Sequence, residues 1–141
     1  MKEYLYILAS NKKYMSKVKF ELEFPVHASP SMLYQYFATP AGLEEWFADR
    51  VNSRGKLITF MWNDSEEEAK ILANKADERI KYKWTESEGD DSYFEFRIQV
   101  DPLTKDVALM ITDFADDEDE VEESKMFWEN QIDELKHTIG A

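Results

Sequence analysis

The stretch "ASPSMLYQYFATPAGLEEWFAD", residues 28–49, contains two helix starts in close succession. At residues 29–30 and again at 39–40, a Ser or Thr is followed by proline. A hydroxyl residue at the N-cap with proline at the first helical position is a typical helix start. Each signal therefore predicts a short helix, and the second predicted helix carries the adjacent aromatic residues Trp46 and Phe47.

Strand patterns lie on both sides of this stretch. In "KVKFELEF", residues 17–24, charged and apolar residues alternate without interruption, which is typical of an antiparallel strand with one buried face. After residue 48, turn-forming residues separate further apolar stretches, and the short connections favour antiparallel neighbours. Further strands are predicted to begin at about residues 49, 56, 67, 79, 92 and 107.

The acidic run "DDEDEVEE", residues 116–123, opens a long helical pattern. It lacks the glycine and the alternating Asx ligands of a calcium loop, so it predicts a solvated helix start. Apolar residues then recur at the spacing of one helical stripe, which predicts a helix of about twenty residues. The stripe consists of Val121, Trp128, Ile132, Leu135 and Ile139.

This order of elements resembles the α+β helix-grip fold, in which a curved antiparallel sheet of six to seven strands wraps around a long C-terminal helix. Two short helices follow the first strand in that fold. Residues 28–49 are similar to the opening signature of START-like proteins related to the activator of the ATPase of the ninety-kilodalton heat-shock chaperone. The similar features are Ala-Ser-Pro before a helix, the Thr-Pro-x-Gly-Leu turn, and Trp-Phe followed by Ala-Asp.

The resemblance extends from about residue 17 to residue 139. It implies a START-like (SRPBCC) domain over residues 15–141, with residues 1–14 as an N-terminal extension. The family it points to includes cochaperone-like domains and carriers of small apolar molecules. A resemblance of this kind implies architecture more directly than function, because binding sites are grafted onto folds.

Composition excludes several classes of function. The chain has 141 residues, which fits one domain with one continuous core, and its formal net charge is −13. Such a charge repels phosphate backbones, so we expect no nucleic-acid partner, and no apolar stretch approaches a membrane span. Without cysteine the chain has no thiol nucleophile or zinc–thiolate site, which fits a reducing compartment, and the cytoplasm is the expected location.

The candidate ligand-binding residues are mostly aromatic. In the helix-grip order, several strands and the last helix contribute tryptophan or phenylalanine to the space between sheet and helix. The predicted ligand-binding set is Trp46, Phe47, Phe60, Trp62, Trp84 and Trp128, with Gln131 as a nearby uncharged polar group. A cavity with such walls suits a lipid-like or aromatic ligand. The same rings could equally fill the interior, with Trp46 and Phe47 closing one end of the core.

The sequence offers little for catalysis. His27 and His137 lie 110 positions apart, and the glycine-rich phosphate loop and the Gly-x-Ser-x-Gly elbow are both missing. Asp113 is the one carboxylate whose strand parity points inward with Leu109 and Ile111, although a solvent-facing strand end is favoured for it. We therefore expect neither an enzyme of the cyclase or hydratase kind nor a metal or cofactor.

Two functions stay open at this stage. The first is a non-catalytic domain that binds a small apolar ligand in the cavity between the sheet and the C-terminal helix. The alternative is a protein-interaction module, chaperone-associated by family analogy, with a filled core and an exposed apolar patch.

Overall fold

The structure is a computed structural model that describes residues 17–141. Over these residues there are three helices and seven strands, and two single 3-10 turns at Thr85–Ser87 and Glu118–Glu120. The helices are α1 (Pro30–Ala38), α2 (Pro40–Glu44) and α3 (Val121–Ile139). The strands are β1 (Val18–Pro25), β2 (Arg50–Arg54), β3 (Leu57–Trp62), β4 (Ser65–Lys75), β5 (Arg79–Trp84), β6 (Phe94–Val100) and β7 (Val107–Ala115). The predicted extension over residues 1–14 lies outside the described residues.

The strands form one curved sheet in the order β1-β7-β6-β5-β4-β3-β2, with every neighbouring pair antiparallel. Strands β2 to β7 are a simple meander, whereas β1 crosses to pair with the last strand. The two short helices after β1 and the long helix after β7 pack on the apolar face of this sheet. The predicted α+β helix-grip architecture is confirmed.

Both helix starts form as the sequence predicts. The Ser29 hydroxyl accepts a hydrogen bond from the Met32 backbone N–H at 3.2 Å, and the Thr39 hydroxyl accepts one from the Gly42 N–H at 3.0 Å. Gly42 lies where α2 meets the end of α1, and a Cβ added there would lie 2.0 Å from the carbonyl oxygen of Gln35. Only glycine permits this close approach of two backbones.

Helix α2 is shorter than predicted. It ends at Glu44, so Trp46 and Phe47 lie in the turn that follows it and not on the helix itself. The N–H groups of Phe47 and Ala48 both donate to the carbonyl oxygen of Leu43, at 2.8 and 3.2 Å. Because the same oxygen accepts both bonds, the regular helical pattern ends here, and the side chains of Trp46 and Phe47 are buried in the core.

Helix α3 begins within the acidic run and not at its first residue. Asp117 caps a 3-10 turn, accepting from the Glu120 N–H at 3.1 Å, and the α-helix starts only at Val121. Short acidic side chains compete for backbone N–H groups, which explains why the run forms a turn before the helix. Trp128, Ile132 and Leu135 of the predicted stripe are buried against the sheet.

Candidate functional site

The six aromatic residues predicted to wall a ligand lie together between the sheet and α3. We call this group the aromatic cluster: Trp46, Phe47, Phe60, Trp62, Trp84 and Trp128. The ring of Phe47 is at its centre, with centroid distances of 5.2 Å to Phe60, 5.7 Å to Trp62 and 5.8 Å to Trp128. Trp84 joins through Phe60, at 5.5 Å. These are direct packing distances, so the rings occupy the space between them.

Hydrogen bonds fix the backbone at the centre of the cluster. The Trp62 indole N–H donates to the carbonyl oxygen of Phe47 at 2.8 Å, and the Gln131 side-chain amide donates to the same oxygen at 3.3 Å. The Trp46 indole N–H donates to the carbonyl oxygen of Tyr36 at 2.7 Å. The polar group of Gln131 therefore ties α3 to the turn after α2.

Burial differs across the cluster. Four of its members are buried, and Phe60 is wholly inaccessible to solvent. Trp62 and Trp84 are half-buried where β3 and β5 end. On β3 the buried residues are Ile58 and Phe60, so this face of the strand points inward.

A cleft of about 300 Å³ lies beside the cluster, between the end of β7 and the start of α3. Its walls combine carboxylates, a hydroxyl and two aromatic rings. We call it the Asp113 cleft, and its lining residues are Asp113, Glu120, Glu123, Ser124, Phe127 and Trp128. Trp128 belongs to both the cleft and the aromatic cluster, so it joins the two regions.

Asp113 lies on the inner side of β7. It is opposite the buried Phe20 of β1, and directly paired residues share a face of the sheet. Its Oδ2 accepts a hydrogen bond from the Trp128 indole N–H at 2.8 Å, and its Oδ1 accepts one from the Phe114 N–H at 2.7 Å. The favoured expectation of a solvent-facing side chain is therefore wrong, because Trp128 supplies a donor for the carboxylate beneath α3.

Burial sets the ionisation of this carboxyl group. Loss of solvation raises the pKa of Asp113 to about 6, and the hydrogen bonds from Trp128 and Phe114 offset only part of that rise. The pKa of Glu120 is also raised, because the charges of Asp116 and Asp117 lie close to it. The side of the cleft at the start of α3 is therefore a region of negative potential.

The outer rim of the cleft is apolar. Phe127 is 50% exposed and its neighbour Met126 is 62% exposed, although both are large hydrophobic residues. The Phe127 ring lies 5.6 Å from the Trp128 ring at an interplanar angle of 77°. The two rings form a right-angled corner beside the carboxylates.

Other candidate chemistry lies elsewhere. His27 and His137 are exposed, and neither lines the cleft. Over residues 17–141, no three His, Asp or Glu side chains are grouped so as to hold a metal ion. Within the same range, each helix is too short or too polar to cross a bilayer.

Sequence reasoning missed most of the cleft. Of its six lining residues only Trp128 is in the predicted ligand-binding set, while Glu120, Glu123, Ser124 and Phe127 are not. The available signal was the parity of Asp113 with Leu109 and Ile111, together with a phenylalanine beside the buried stripe of α3. Neither feature shows by itself that β7 and α3 leave a gap.

Comparison with known proteins places the chain in a large group of similar folds. The model of the START-like superfamily domain matches residues 14–141. Among curated proteins, none matches this chain.

Solved structures give the same result. The chain is 36% identical to the protein BfR322 from Bacteroides fragilis, covering 89% of this chain and 93% of that one, with a TM-score of 0.65. It is 18% identical to Aha1 from Colwellia psychrerythraea, over 84% and 93% of the two chains, with a TM-score of 0.70. The protein SSP2350 from Staphylococcus saprophyticus is 14% identical, over 87% and 92%, with a TM-score of 0.71. The last two likenesses concern the fold alone.

Proposed function

This chain belongs to the START-like superfamily, and we propose that it is a non-catalytic domain that binds a small, largely apolar ligand between the sheet and α3. One observation carries the proposal: the Asp113 cleft opens onto Trp128, at the junction of β7, α3 and the aromatic cluster. Ligand sites have volumes of about 300–1,000 Å³. A cleft of about 300 Å³ lies at the lower end of that range and suits a small molecule.

The packing of the aromatic cluster supports a ligand position outside the interior. Because its rings are in direct contact, a ligand would have to separate them to enter the interior, at the cost of several packing contacts. We therefore place the ligand against Trp128 and Phe127 at the cleft. Of the other proposed binding residues, Phe47 packs directly on the Trp128 ring. The rest contact Phe47 or, for Trp84, contact it through Phe60: Trp46, Phe60, Trp62, Trp84 and Gln131.

The surroundings of Asp113 favour binding over catalysis. Both of its oxygens already accept hydrogen bonds from the protein, from Trp128 and from the backbone of Phe114. A general acid or base needs a proton path to a reacting atom. We assign Asp113 a role in holding Trp128 and in recognising the ligand.

Native mass spectrometry of the protein purified from its own host tests this proposal. The wild-type protein is expected to carry a small molecule that denaturation releases. The variant Ser124→Phe, which fills the cleft from α3, is expected to lose it. The control Asn130→Phe adds the same ring at an exposed position of α3 outside the cleft and is expected to keep it. A wild-type protein without a small molecule, or a ligand retained by Ser124→Phe, would contradict the proposal.

A second function, a protein-interaction module, is favoured by a different observation. Met126 and Phe127 expose adjacent apolar side chains on α3, and such patches often mark contacts with other proteins. In the same experiment, this function predicts a co-purifying polypeptide. That polypeptide should be lost in Met126→Ser and retained in Ser124→Phe.

A further inference from the structure

We propose that the ligand of the Asp113 cleft is an organic cation with an aromatic or aliphatic body. This inference rests on the proposed function and adds the chemical class of the ligand. It follows from three features of the cleft. Its carboxylates come from two elements, two aromatic rings lie beside them, and the nearby lysines pair with other carboxylates.

The carboxylates face the cleft from two different elements. Asp113 projects from β7 at the base, whereas Glu120 and Glu123 lie on the opposite wall, at and just after the start of α3. The N-terminal end of a helix carries a partial positive charge equivalent to about half an elementary charge. Three carboxylates outweigh it, so the cleft attracts cations and repels anions.

The nearby described ammonium groups are engaged elsewhere. Lys17, whose charge acts on Asp113, forms an ion pair with Asp90 at 3.1 Å and donates to the Ser87 hydroxyl at 2.9 Å. On α3, Lys125 lies 3.9 Å from a carboxylate oxygen of Glu122. Neither lysine lines the cleft, so its carboxylates are available to a cationic ligand.

The rings complete a site for a cation with an apolar body. Phe127 and Trp128 both line the cleft, with their centroids 5.6 Å apart and their planes at 77°; Phe127 is half-exposed, whereas Trp128 is buried. Aromatic faces attract ammonium groups and pack against apolar ones. Phe127 is 50% exposed, so part of its ring is free to pack against a ligand in the cleft.

The competing ligand classes fit less well. A neutral apolar ligand would remove water from the exposed Glu123 carboxylate without supplying a new partner, and the desolvation of a carboxylate without a new partner is costly. An anionic ligand would meet three like charges. An ammonium group would instead replace the lost water with a charge-assisted hydrogen bond.

A pair of matched probes tests the charge preference. Naphthylethylamine is an ammonium ion near neutral pH, and naphthylethanol has the same ring and chain without the charge. By isothermal titration calorimetry, we expect the amine to bind at least about ten-fold more tightly than the alcohol. Glu123→Gln and Asp113→Asn should each lose most of this preference. The control Glu134→Gln, an exposed carboxylate of α3 outside the cleft, should keep it.

The outcomes separate the charge preference from the proposed function. If amine and alcohol bind equally, and Ser124→Phe abolishes both, the cleft binds ligands but the inferred cation class is wrong. If neither probe binds the wild-type protein, or if both still bind Ser124→Phe, the proposed function at this cleft fails together with the inference. A preference for the amine that Glu123→Gln removes and Glu134→Gln retains would support both.

Discussion

The aromatic cluster and the Asp113 cleft meet at Trp128, yet the cluster is filled by side chains and the cleft is open. In the cluster, rings pack on rings, and the indole N–H groups of Trp46 and Trp62 donate to backbone carbonyls. In the cleft, carboxylates, the half-exposed Phe127 ring and the buried Trp128 line an open volume of about 300 Å³. The comparison teaches that burial of aromatic side chains marks the stable part of this fold. The unfilled gap beside them marks the part available for binding.

The largest expected change in stability comes from truncating a phenylalanine of the cluster, compared with one at the cleft. Phe47 is 4% exposed and packs on five aromatic neighbours, so Phe47→Ala should lower the free energy of unfolding by about 3–5 kcal/mol. Phe127→Ala, at the rim of the cleft, should cost less than about 1 kcal/mol. Urea denaturation of both variants measures the difference. Equal losses would remove the distinction between a packed cluster and an open cleft.

The second test is the pH dependence of stability at the base of the cleft. The pKa of Asp113 is about 6 in the folded chain, above its ordinary value of 3.8, because burial disfavours the charge. Between these values the folded state holds a proton that the unfolded state has released. The free energy of unfolding therefore falls as the pH rises through this window and levels off above about pH 6.

Asp113→Asn isolates this contribution from the other titrating groups, including the neighbouring Lys17, Glu120 and Glu123. Relative to the variant, the wild-type protein should lose on the order of 2–3 kcal/mol between about pH 4 and pH 7. Denaturation at several pH values gives the difference curve. A flat curve would mean that Asp113 is as well solvated in the folded as in the unfolded chain.

The third test concerns the close contact between α1 and α2 beside the aromatic cluster, and it compares two glycines. Gly42→Ala would place a methyl group against the backbone of α1, 2.0 Å from the Gln35 carbonyl oxygen, and should cost about 1–3 kcal/mol. In Gly89→Ala the new methyl group meets nothing within 4 Å, so stability should change little or rise by up to about 1 kcal/mol. Thermal denaturation compares the two. A neutral Gly42→Ala would show that α1 and α2 separate without loss.

The smallest expected change in stability belongs to the rim of the cleft. Glu123 is exposed, so Glu123→Gln should alter the free energy of unfolding by no more than about 0.5 kcal/mol. Its effect should be seen in binding of the ammonium probe and not in folding. A loss of more than about 1 kcal/mol in Glu123→Gln would mean that this carboxylate serves the fold.

Local signals predict the scaffold of this protein well. The caps at Ser29 and Thr39 act within three residues, and the alternation in β1 determines which of its faces is buried, so these features follow from the sequence itself. The exact end of α2 does not follow in this way. The turn that carries Phe47 is held by Trp62 and Gln131, which are 15 and 84 residues away.

The cleft could not be predicted for the same physical reason. It exists because α3 crosses β7 so that Trp128 reaches Asp113, and this crossing depends on how the whole sheet curves. The alternation of side chains along β7 indicated the inner face for Asp113, but it did not identify the hydrogen-bond donor. Without Trp128 as a known donor, solvent was the more favourable surrounding for a carboxylate.

The most direct test of the central claim is fluorine NMR of protein labelled with fluorotryptophan, which reports separately on each of the four tryptophans. During titration with naphthylethylamine, the account predicts that the Trp128 resonance shifts most. Trp46, Trp62 and Trp84 should stay nearly unchanged, because the packed cluster does not admit the ligand. Shifts centred on Trp46 or Trp62, with Trp128 unchanged, would contradict the account and place binding inside the aromatic cluster.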